Sequence, residues 1–265
     1  MLTNYHTHTT FCDGKSTVEE IVLSALDKGF DAIGFSGHGY TAFDYSYCMK
    51  DTEGYLAEIR RVKEKYGRDI EIYAGVEEDA AYPLDRSMFD YVLGSSHYFR
   101  VNRVYYPIDS SYECMQKCVA VYRGDALKMA EDYFSSFCTY INRYHPDIIG
   151  HFDLLTKFEE QHPFFLAQEK YRALAVRYAL EAAKSGSIFE VNTGAISRGY
   201  HTVPYPHTDI LYALKNAGAR VILCSDSHHA DTLDFAFDEA KAILKDVGFT
   251  SVVNLYHGEF TDETI

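Results

Sequence analysis

Short runs of apolar residues recur along the chain, and most of them are followed by a longer segment with the periodicity of an amphipathic helix. Such runs, bounded by polar residues, predict β-strands. Seven strands are predicted, at residues 1–8, 31–36, 70–77, 91–96, 148–150, 187–192 and 220–225. Because strands that alternate with helices pair in parallel through right-handed crossovers, we predict an α/β fold. Seven such units in one domain favour a barrel over an open sheet.

Helices are predicted between these strands, at residues 19–28, 52–66, 167–185, 206–217 and 232–246. Ser16 and Glu19 have the spacing of a capping box at the start of the first helix. Residues 110–144 predict one helical stretch or a pair of helices, with a weak point at 123–125. No linker rich in glycine, serine or proline divides the chain, so residues 1–265 are predicted to form a single barrel domain.

Composition narrows the class of protein. The formal net charge of the 265 residues is −14, and this acidic balance argues against a nucleic-acid-binding surface. The chain has no run of about 18 apolar residues and no secretory signal pattern, so neither a membrane span nor export is predicted. Its six cysteines are scattered, which favours free thiols in a reducing cytoplasm.

Residues of the kinds that bind metals stand at the end of almost every predicted strand or directly after it. They are His6, His8, His38, Glu77, His97, His151, Asp226 and His228, and Asp13 lies in the turn after the first strand. His6 and His8 would share one face, since side chains two positions apart on a strand point the same way. In a parallel barrel the carboxyl ends of the strands meet on one face, where active sites are assembled. The nine side chains are therefore predicted to converge.

Nine candidates are too many for one tetrahedral ion and enough for two or three. Imidazole and carboxylate together suit zinc, iron or manganese, and Glu77 is the best candidate to bridge two ions. Taken alone, each residue has an ordinary explanation: a histidine after a strand is often a surface residue, and Asp13 could simply favour the turn before Gly14. Their joint placement predicts a multinuclear metal site.

The same residues fall within motifs that resemble those of a known family. The motifs are His6-x-His8, Ser36-Gly37-His38-Gly39, Gly75-Val76-Glu77, Ser95-Ser96-His97, Gly150-His151-Phe152-Asp153 and Ser225-Asp226-Ser227-His228. In this order they resemble the PHP (polymerase and histidinol phosphatase) superfamily, and most of all its histidinol-phosphate phosphatase branch. The resemblance implies a distorted (βα)7 TIM-like barrel. It also implies hydrolysis of L-histidinol phosphate to L-histidinol and phosphate by a metal-bridging hydroxide, a step of histidine biosynthesis.

The resemblance implies a ligand set for each of three divalent or trivalent metal ions. The first ion would be held by His6, His8, Glu77 and Asp226, the second by Glu77, His97 and His151, and the third by Asp13, His38 and His228. Asp13 stands near a position where many relatives carry histidine.

Three further residues are candidates for contacts with the phosphate ester. Arg198, in the loop after the sixth strand, is the first choice for a phosphate clamp, because its planar guanidinium can make bidentate contacts. Lys157, after the fifth strand, is the second choice. His229 is a candidate to hold phosphate or to protonate the leaving alkoxide. For the arginine and the lysine, the alternative is a solvated surface charge.

Two aromatic-rich stretches, residues 40–47 and 98–106, follow ligand-bearing strands, and residues 100–109 are predicted to be extended. The aromatic side chains are predicted either to wall a pocket for a ring such as imidazole or to pack over loops. The predicted partner is a small phosphate ester, with neither nucleic acid nor membrane. Two alternatives stay open: the same chemistry on another phosphomonoester, nucleotide or phosphodiester, and a metal-binding module without turnover.

Overall fold

The computed structural model describes residues 1–265 and contains eleven strands. They are β1 (Thr3–Asn4), β2 (Ala32–Phe35), β3 (Glu71–Asp79), β4 (Tyr91–Ser95), β5 (Tyr98–Val101), β6 (Val104–Pro107), β7 (Ile148–Ile149), β8 (Ile188–Asn192), β9 (Val221–Cys224), β10 (Ser251–Tyr256) and β11 (Glu259–Thr264). Seven of them form one sheet in the order β1-β2-β3-β4-β7-β8-β9, and every neighbouring pair is parallel. β5 and β6 form an antiparallel hairpin, and so do β10 and β11. All seven predicted strands are therefore present.

The sheet curves until its two edges meet. Beyond the end of β1, the His8 N–H donates to the Ser227 carbonyl at 2.8 Å, and the Ser227 N–H donates to the His6 carbonyl at 3.1 Å. Thr7 and Ser227 thereby form a parallel bridge between the first and last strands of the sheet. This contact nearly closes the sheet, which confirms the predicted distorted (βα)7 TIM-like barrel.

Helices cover the outside of the barrel. They are α1 (Val18–Asp27), α2 (Thr52–Tyr66), α3 (Tyr112–Val121), α4 (Ala126–Tyr144), α5 (Glu169–Ala183), α6 (Gly194–Ser197), α7 (Thr208–Asn216) and α8 (Phe237–Val247), with 3₁₀ turns at Leu154–Thr156 and Ala230–Thr232. α1 and α2 share one apolar core with β2 and the start of β3. A larger core joins α4, α5, α7 and α8 to the strands β7, β8 and β9. None of the helices is both long and apolar enough to cross a membrane.

Residues 110–144 were predicted to form either one helical stretch or a pair of helices, and the structure has the pair, α3 and α4. The break lies at Arg123 and Gly124, which have φ angles of 56° and 87°, and Asp125 then caps α4 by accepting from the Lys128 N–H at 3.0 Å. The left-handed backbone at two consecutive residues ends α3, because a helix cannot continue through it. The predicted extended segment is the hairpin of β5 and β6.

The capping box of α1 lies one residue later than predicted. Thr17 and Glu20 form it, rather than Ser16 and Glu19: the Thr17 hydroxyl accepts from the Glu20 N–H at 3.2 Å. Ser16 Oγ accepts from the Ala230 N–H at 3.1 Å instead. Its side chain therefore ties the start of α1 to the loop after β9, a long-range contact that local spacing does not reveal.

Tyrosine side chains fill the floor of the barrel. The Tyr91 hydroxyl donates to the Tyr5 carbonyl, and the Tyr5 hydroxyl donates to the Leu255 carbonyl, both at 2.6 Å. Leu255 belongs to the hairpin of β10 and β11, whose apolar residues pack against residues near the beginnings of several barrel strands. Gly75 makes room for this arrangement, because a Cβ there would lie 2.3 Å from the Tyr91 ring. The floor is thus closed, and the opposite end is left for the polar side chains.

We expect Gly75→Ala to lower the free energy of unfolding by about 1–3 kcal/mol, the usual cost of overpacking a core. The added methyl group would overlap the Tyr91 ring. Denaturant unfolding of the variant measures the loss. In a Tyr91→Leu background the same substitution should cost much less, and an equal loss in both backgrounds would contradict the overlap.

Candidate metal centre

All nine predicted metal-binding residues converge at the carboxyl ends of the barrel strands. They fall into four groups whose candidate ligand atoms lie within 4.8 Å of one another: His8, Asp13, His38 and His228; His6, Glu77 and His151; His6, His8 and Asp226; and His38, Glu77 and His97. Shared members link the groups into one continuous cluster. The structure thus brings together every side chain of the predicted set.

The barrel closure positions the inner part of the cluster. The parallel bridge of Thr7 and Ser227 sets His6 and His8 beside Asp226. Asp226 Oδ1 lies 3.2 Å from His8 Nε2 and 3.5 Å from His6 Nε2. Asp226 has a φ angle of 49°, in the left-handed region that costs most residues energy and that aspartate tolerates better than most. This turn of the backbone follows directly after β9 and allows the carboxylate to face both imidazoles.

Glu77 lies at the middle of the cluster and is 1% exposed. Its two carboxylate oxygens face five imidazoles: Oε2 lies 2.9 Å from His38 Nδ1, 3.3 Å from His6 Nε2 and 3.5 Å from His8 Nε2, and Oε1 lies 3.1 Å from His151 Nε2 and 3.3 Å from His97 Nε2. A carboxylate with different neighbours on each oxygen has the arrangement needed to bridge two cations. The compact groups differ from the predicted second set, since His97 groups with His38 and His151 groups with His6.

Asp13 forms the outer part of the cluster. Its carboxylate lies 3.4 Å from His228 Nε2, 3.6 Å from His38 Nε2 and 3.7 Å from His8 Nδ1. The turn that carries it packs on the first strand, because a Cβ at Gly14 would lie 2.4 Å from the His8 carbonyl carbon. His8 therefore faces Asp226 with one ring nitrogen and Asp13 with the other, a double placement that the sequence did not predict.

Four candidate ligand atoms of the cluster lack hydrogen-bond partners within the protein. His6 Nε2, His8 Nε2, Glu77 Oε2 and Asp13 Oδ1 are buried and make no hydrogen bond. A buried polar group without a partner is costly, and a buried charge is costlier still. Imidazole and carboxylate atoms that face one another at these distances suit cations such as zinc, iron or manganese. The residues present therefore fit bound metal ions.

In the cluster, the carboxylates raise the pKa of some imidazoles, and the imidazoles lower the pKa of the carboxylates. Burial by itself would lower the pKa of His6, but the carboxylates of Glu190, Glu77 and Asp226 raise it well above its ordinary value. Burial also acts against His97, yet the charge of Glu77 raises its pKa to about 10. Burial would raise the pKa of Glu77, but the surrounding imidazoles hold it well below its ordinary value. The protein thus carries negative charge at its centre that cations, or protons on the imidazoles, must balance.

His8 behaves differently because other imidazoles surround it. Burial, together with the nearby His228 and His38, lowers the pKa of His8 to about 3. Its ring is therefore neutral at physiological pH, which is the form that binds metal ions. Burial would raise the pKa of Asp13, but its contacts with His228, His38 and His8 lower it. The outer group accordingly offers an ionised carboxylate and a neutral imidazole.

Two carboxylates that sequence reasoning missed support the cluster from behind. Glu190, in the middle of β8, lies with Oε1 2.5 Å from His6 Nδ1. Asp79, at the end of β3, accepts from the His97 N–H at 3.0 Å. For Glu190 the sequence does carry a signal, because this charged residue stands between the apolar residues Phe189 and Val191 of a predicted strand. Such a residue has to face something that compensates its charge.

A cavity of about 490 Å³ opens above the cluster. Its lining combines ligand candidates with Tyr47, Tyr98, Tyr200 and Tyr205, and with the charged residues Lys15, Asp44, Asp109, Lys157 and Arg198. The aromatic stretches were predicted either to wall a pocket or to pack over loops, and each alternative holds for some of their residues. Tyr47 and Tyr98 wall the cavity and stack with their ring centroids 5.8 Å apart. Phe43 and Tyr105 stack on each other at 4.0 Å and are not part of the lining.

The predicted cations lie in the cavity wall, each paired with a carboxylate. Arg198 donates from Nη2 to Asp226 Oδ2 at 2.8 Å and from Nη1 to the Asp226 carbonyl at 2.9 Å. Lys157 donates to Asp109 Oδ2 at 3.1 Å. Lys15, which the sequence did not single out, also lines the cavity, and no carboxylate lies within 4.0 Å of its ammonium group.

His229 does not line the cavity, in contrast to its predicted contact with phosphate. Its side chain is 52% exposed and lies 3.2 Å from Asp231 Oδ2. The ring accepts from the Asp231 N–H at 3.3 Å and so caps the 3₁₀ turn that follows. Because the chain leaves the barrel rim at this point, adjacent residues face different environments: His228 faces the cluster and His229 faces solvent.

The sequence of the chain matches a known family. A model of the PHP domain matches residues 4–194. The chain is 30% identical to the probable histidinol-phosphatase of Schizosaccharomyces pombe in an alignment that covers 98% of this chain and 91% of the relative. It is 25% identical to the histidinol-phosphatase of Bacillus subtilis over 258 residues, which cover 88% of this chain and 96% of the relative.

The fold has a counterpart of known structure. The histidinol phosphate phosphatase of Lactococcus lactis, solved in complex with zinc, L-histidinol and phosphate, superposes with a TM-score of 0.75 over 98% of both chains at 19% sequence identity. This likeness shows a common fold. Because the family model spans most of the chain and the curated relatives align over nearly their whole length, the chain belongs to the PHP domain family.

Proposed function

We infer that this protein is a metal-dependent phosphomonoesterase that hydrolyses L-histidinol phosphate to L-histidinol and phosphate. The observation that carries this inference is the convergence of nine histidine, aspartate and glutamate side chains beneath a cavity. The wall of this cavity also contains lysine and arginine side chains. The curated relatives that align over nearly their full length are named histidinol-phosphatases, which supports the choice of substrate.

We propose that the cluster holds three ions of zinc, iron or manganese. His6, His8, Glu77 and Asp226 would hold the first, Glu77, His97 and His151 the second, and Asp13, His38 and His228 the third. The second set is supported by Glu77 Oε1, which lies 3.3 Å from His97 Nε2 and 3.1 Å from His151 Nε2, and His8 would add its second ring nitrogen to the outer set. When bound, such ions would supply an acidified water for attack on phosphorus and positive charge for the phosphate oxygens.

The cations of the cavity wall would bind and orient the phosphate group. Arg198 uses Nη1 and Nη2 on Asp226, and the guanidinium has five N–H donors, so further donors are available for phosphate oxygens. Lys157 is partly buried beside Asp109, and Lys15 has no ion-pair partner. Charge-assisted hydrogen bonds from guanidinium and ammonium groups are stronger than neutral ones, so we propose these three residues as the protein's contacts with the phosphate group.

Other residues that line the cavity suit a cationic leaving group. Histidinol carries an ammonium group and an imidazole ring. Asp44 and Asp109 would repel a phosphate dianion but attract such a cation, and both line the cavity beside Tyr98, whose hydroxyl donates to Asp44. Tyr47 and Tyr98 present ring faces on which an imidazole could stack. We propose that these four residues select the alcohol part of the substrate.

The first prediction concerns the reaction itself. The purified protein should hydrolyse histidinol phosphate with a higher kcat/KM than any other ester in a panel of phosphomonoesters, nucleotides and phosphodiesters. Treatment with a chelator should abolish turnover, and zinc, manganese or iron should restore it. A higher kcat/KM on another ester would overturn the substrate assignment. Failure of the fully loaded protein to turn over any ester would favour the metal-binding module instead.

Two adjacent histidines provide a matched pair of variants. We expect His228→Ala to lower kcat/KM on the order of 10²-fold, as losses of single electrostatic groups in active sites do, and to lower the metal content of the protein. His229→Ala should leave both quantities unchanged, because His229 faces solvent. Steady-state kinetics and elemental analysis measure these effects. Equal losses in the two variants would contradict the placement of the cluster boundary between them.

Asp109→Asn tests the proposed contact with the leaving group. The loss of one charge-assisted contact of about 1.5–3 kcal/mol should raise KM for histidinol phosphate by about 10- to 100-fold. An ester with an uncharged leaving group, such as p-nitrophenyl phosphate, should lose far less, since it makes no contact with this carboxylate. Parallel loss on both esters would show that Asp109 acts only through Lys157, with which it pairs.

A further inference from the structure

Glu190 is a carboxylate in the interior of the barrel that the proposed ligand sets leave out. It lies in the middle of β8, where every residue from Ile188 to Asn192 is buried, and its own side chain is 0% exposed. A carboxylate in such a place is strongly destabilising unless hydrogen bonds or charges compensate it. The contacts of Glu190 therefore indicate what it is for.

Both oxygens of Glu190 are engaged, and two of the contacts involve proposed metal ligands. Oε1 lies 2.5 Å from His6 Nδ1. Oε2 accepts from the backbone N–H of His151 at 2.7 Å and from the Asn192 side-chain amide at 3.0 Å. Because an ionised carboxylate can only accept, His6 Nδ1 must carry the proton in this contact. In the neutral ring, which is the form that binds metal ions, the lone pair of His6 then lies on Nε2.

That lone pair faces the centre of the cluster. His6 Nε2 lies 3.3 Å from Glu77 Oε2 and 3.5 Å from Asp226 Oδ1, and it makes no hydrogen bond. Imidazole ligands of metal ions commonly donate their other N–H to a carboxylate, which fixes the tautomer and makes the ligand more basic. The contact between Glu190 and His6 has this arrangement.

We propose that Glu190 is a positioning residue that fixes the ring orientation and tautomer of His6 and, through the backbone of His151, the relative placement of two ligands in different proposed metal sites. This inference rests on the proposed metal-dependent function. Glu190 reaches two strands at once, since His6 follows β1 and His151 follows β7. It thereby ties together ligands that the sequence separates by more than a hundred residues.

A carboxylate is required at this position, and an amide does not replace it. Glutamine would place an NH₂ group where Glu190 now presents an acceptor, opposite His6 Nδ1–H or the donors on His151 and Asn192. Asn192 cannot relieve the conflict by reversing its amide, because its Oδ1 accepts from the Gly194 N–H at 2.8 Å. Glu190→Gln therefore removes both the charge and one acceptor while it keeps the size of the side chain.

The experiment is a zinc titration of the chelator-treated protein, by competition with a chelator of known affinity, together with elemental analysis. We expect Glu190→Gln to weaken zinc binding at one or more sites by about 10- to 100-fold, the usual effect of an outer carboxylate on metal affinity. Glu159→Gln is the matched control. Glu159 is also a buried carboxylate and accepts from the N–H groups of Phe164, Phe165 and Leu166, but it contacts none of the proposed ligands.

A spectroscopic readout separates positioning from a general structural role. In the zinc-loaded wild-type protein, nitrogen-15 NMR of the His6 ring should show a protonated Nδ1 and an Nε2 that carries no proton. In Glu190→Asp the carboxylate is one methylene shorter, so the Nδ1 proton should exchange faster with solvent and zinc affinity should fall. The aspartate variant also carries the test if Glu190→Gln does not fold.

Three results would overturn the proposal: unchanged zinc affinity in the folded glutamine or aspartate variant, a loss no larger than that of Glu159→Gln, or an unprotonated His6 Nδ1 in the wild type. None of these measurements uses turnover. A protein that failed to hydrolyse histidinol phosphate but met the zinc and NMR expectations would refute the substrate assignment alone.

Discussion

The parallel bridge between Thr7 and Ser227 is the contact on which the site depends. It lies beyond the regular ends of the first and last barrel strands and joins segments that are more than two hundred residues apart. Its hydrogen bonds involve the backbones of His6 and His8, so the contact that closes the barrel also positions these two histidines. Any change that opens the barrel at this seam separates the histidines from Asp226, whose carboxylate stands 3.2 Å from His8 Nε2.

The closed floor explains why the polar side chains gather at the other end. Tyrosines and the hairpin of β10 and β11 occupy the end where the strands begin. The chain can bury a dense set of charges only where opposite charges meet, because unpaired buried charges are strongly unfavourable. Glu77 meets this condition through five imidazoles around one carboxylate. The overall acidity of the protein says little about this region, where short-range pairing decides the balance.

The sequence predicts the strands, their parallel order and the nine converging side chains because these depend on local pattern and on one rule of barrel geometry. It does not predict how the side chains divide among groups. His8 faces both Asp226 and Asp13, and this depends on the ring angle that packing sets. The role of Glu190 is not visible in the sequence because its partners, His6 and His151, lie far away along the chain. His229 was misplaced because adjacent residues at a rim can face opposite ways.

The cluster is graded from a closed inner side to a more open outer side. Glu77 is 1% exposed, whereas the side chains of Asp13 and His228 are 35% and 26% exposed. In the proposed enzyme, a buried supporting carboxylate such as Glu190 would hold the ring of an inner ligand in place. The outer group relies on a turn that Gly14 allows to pack against the first strand. Since solvent reaches this side and screens its charges, an ion held by Asp13 would be bound less tightly than one held beside Glu77.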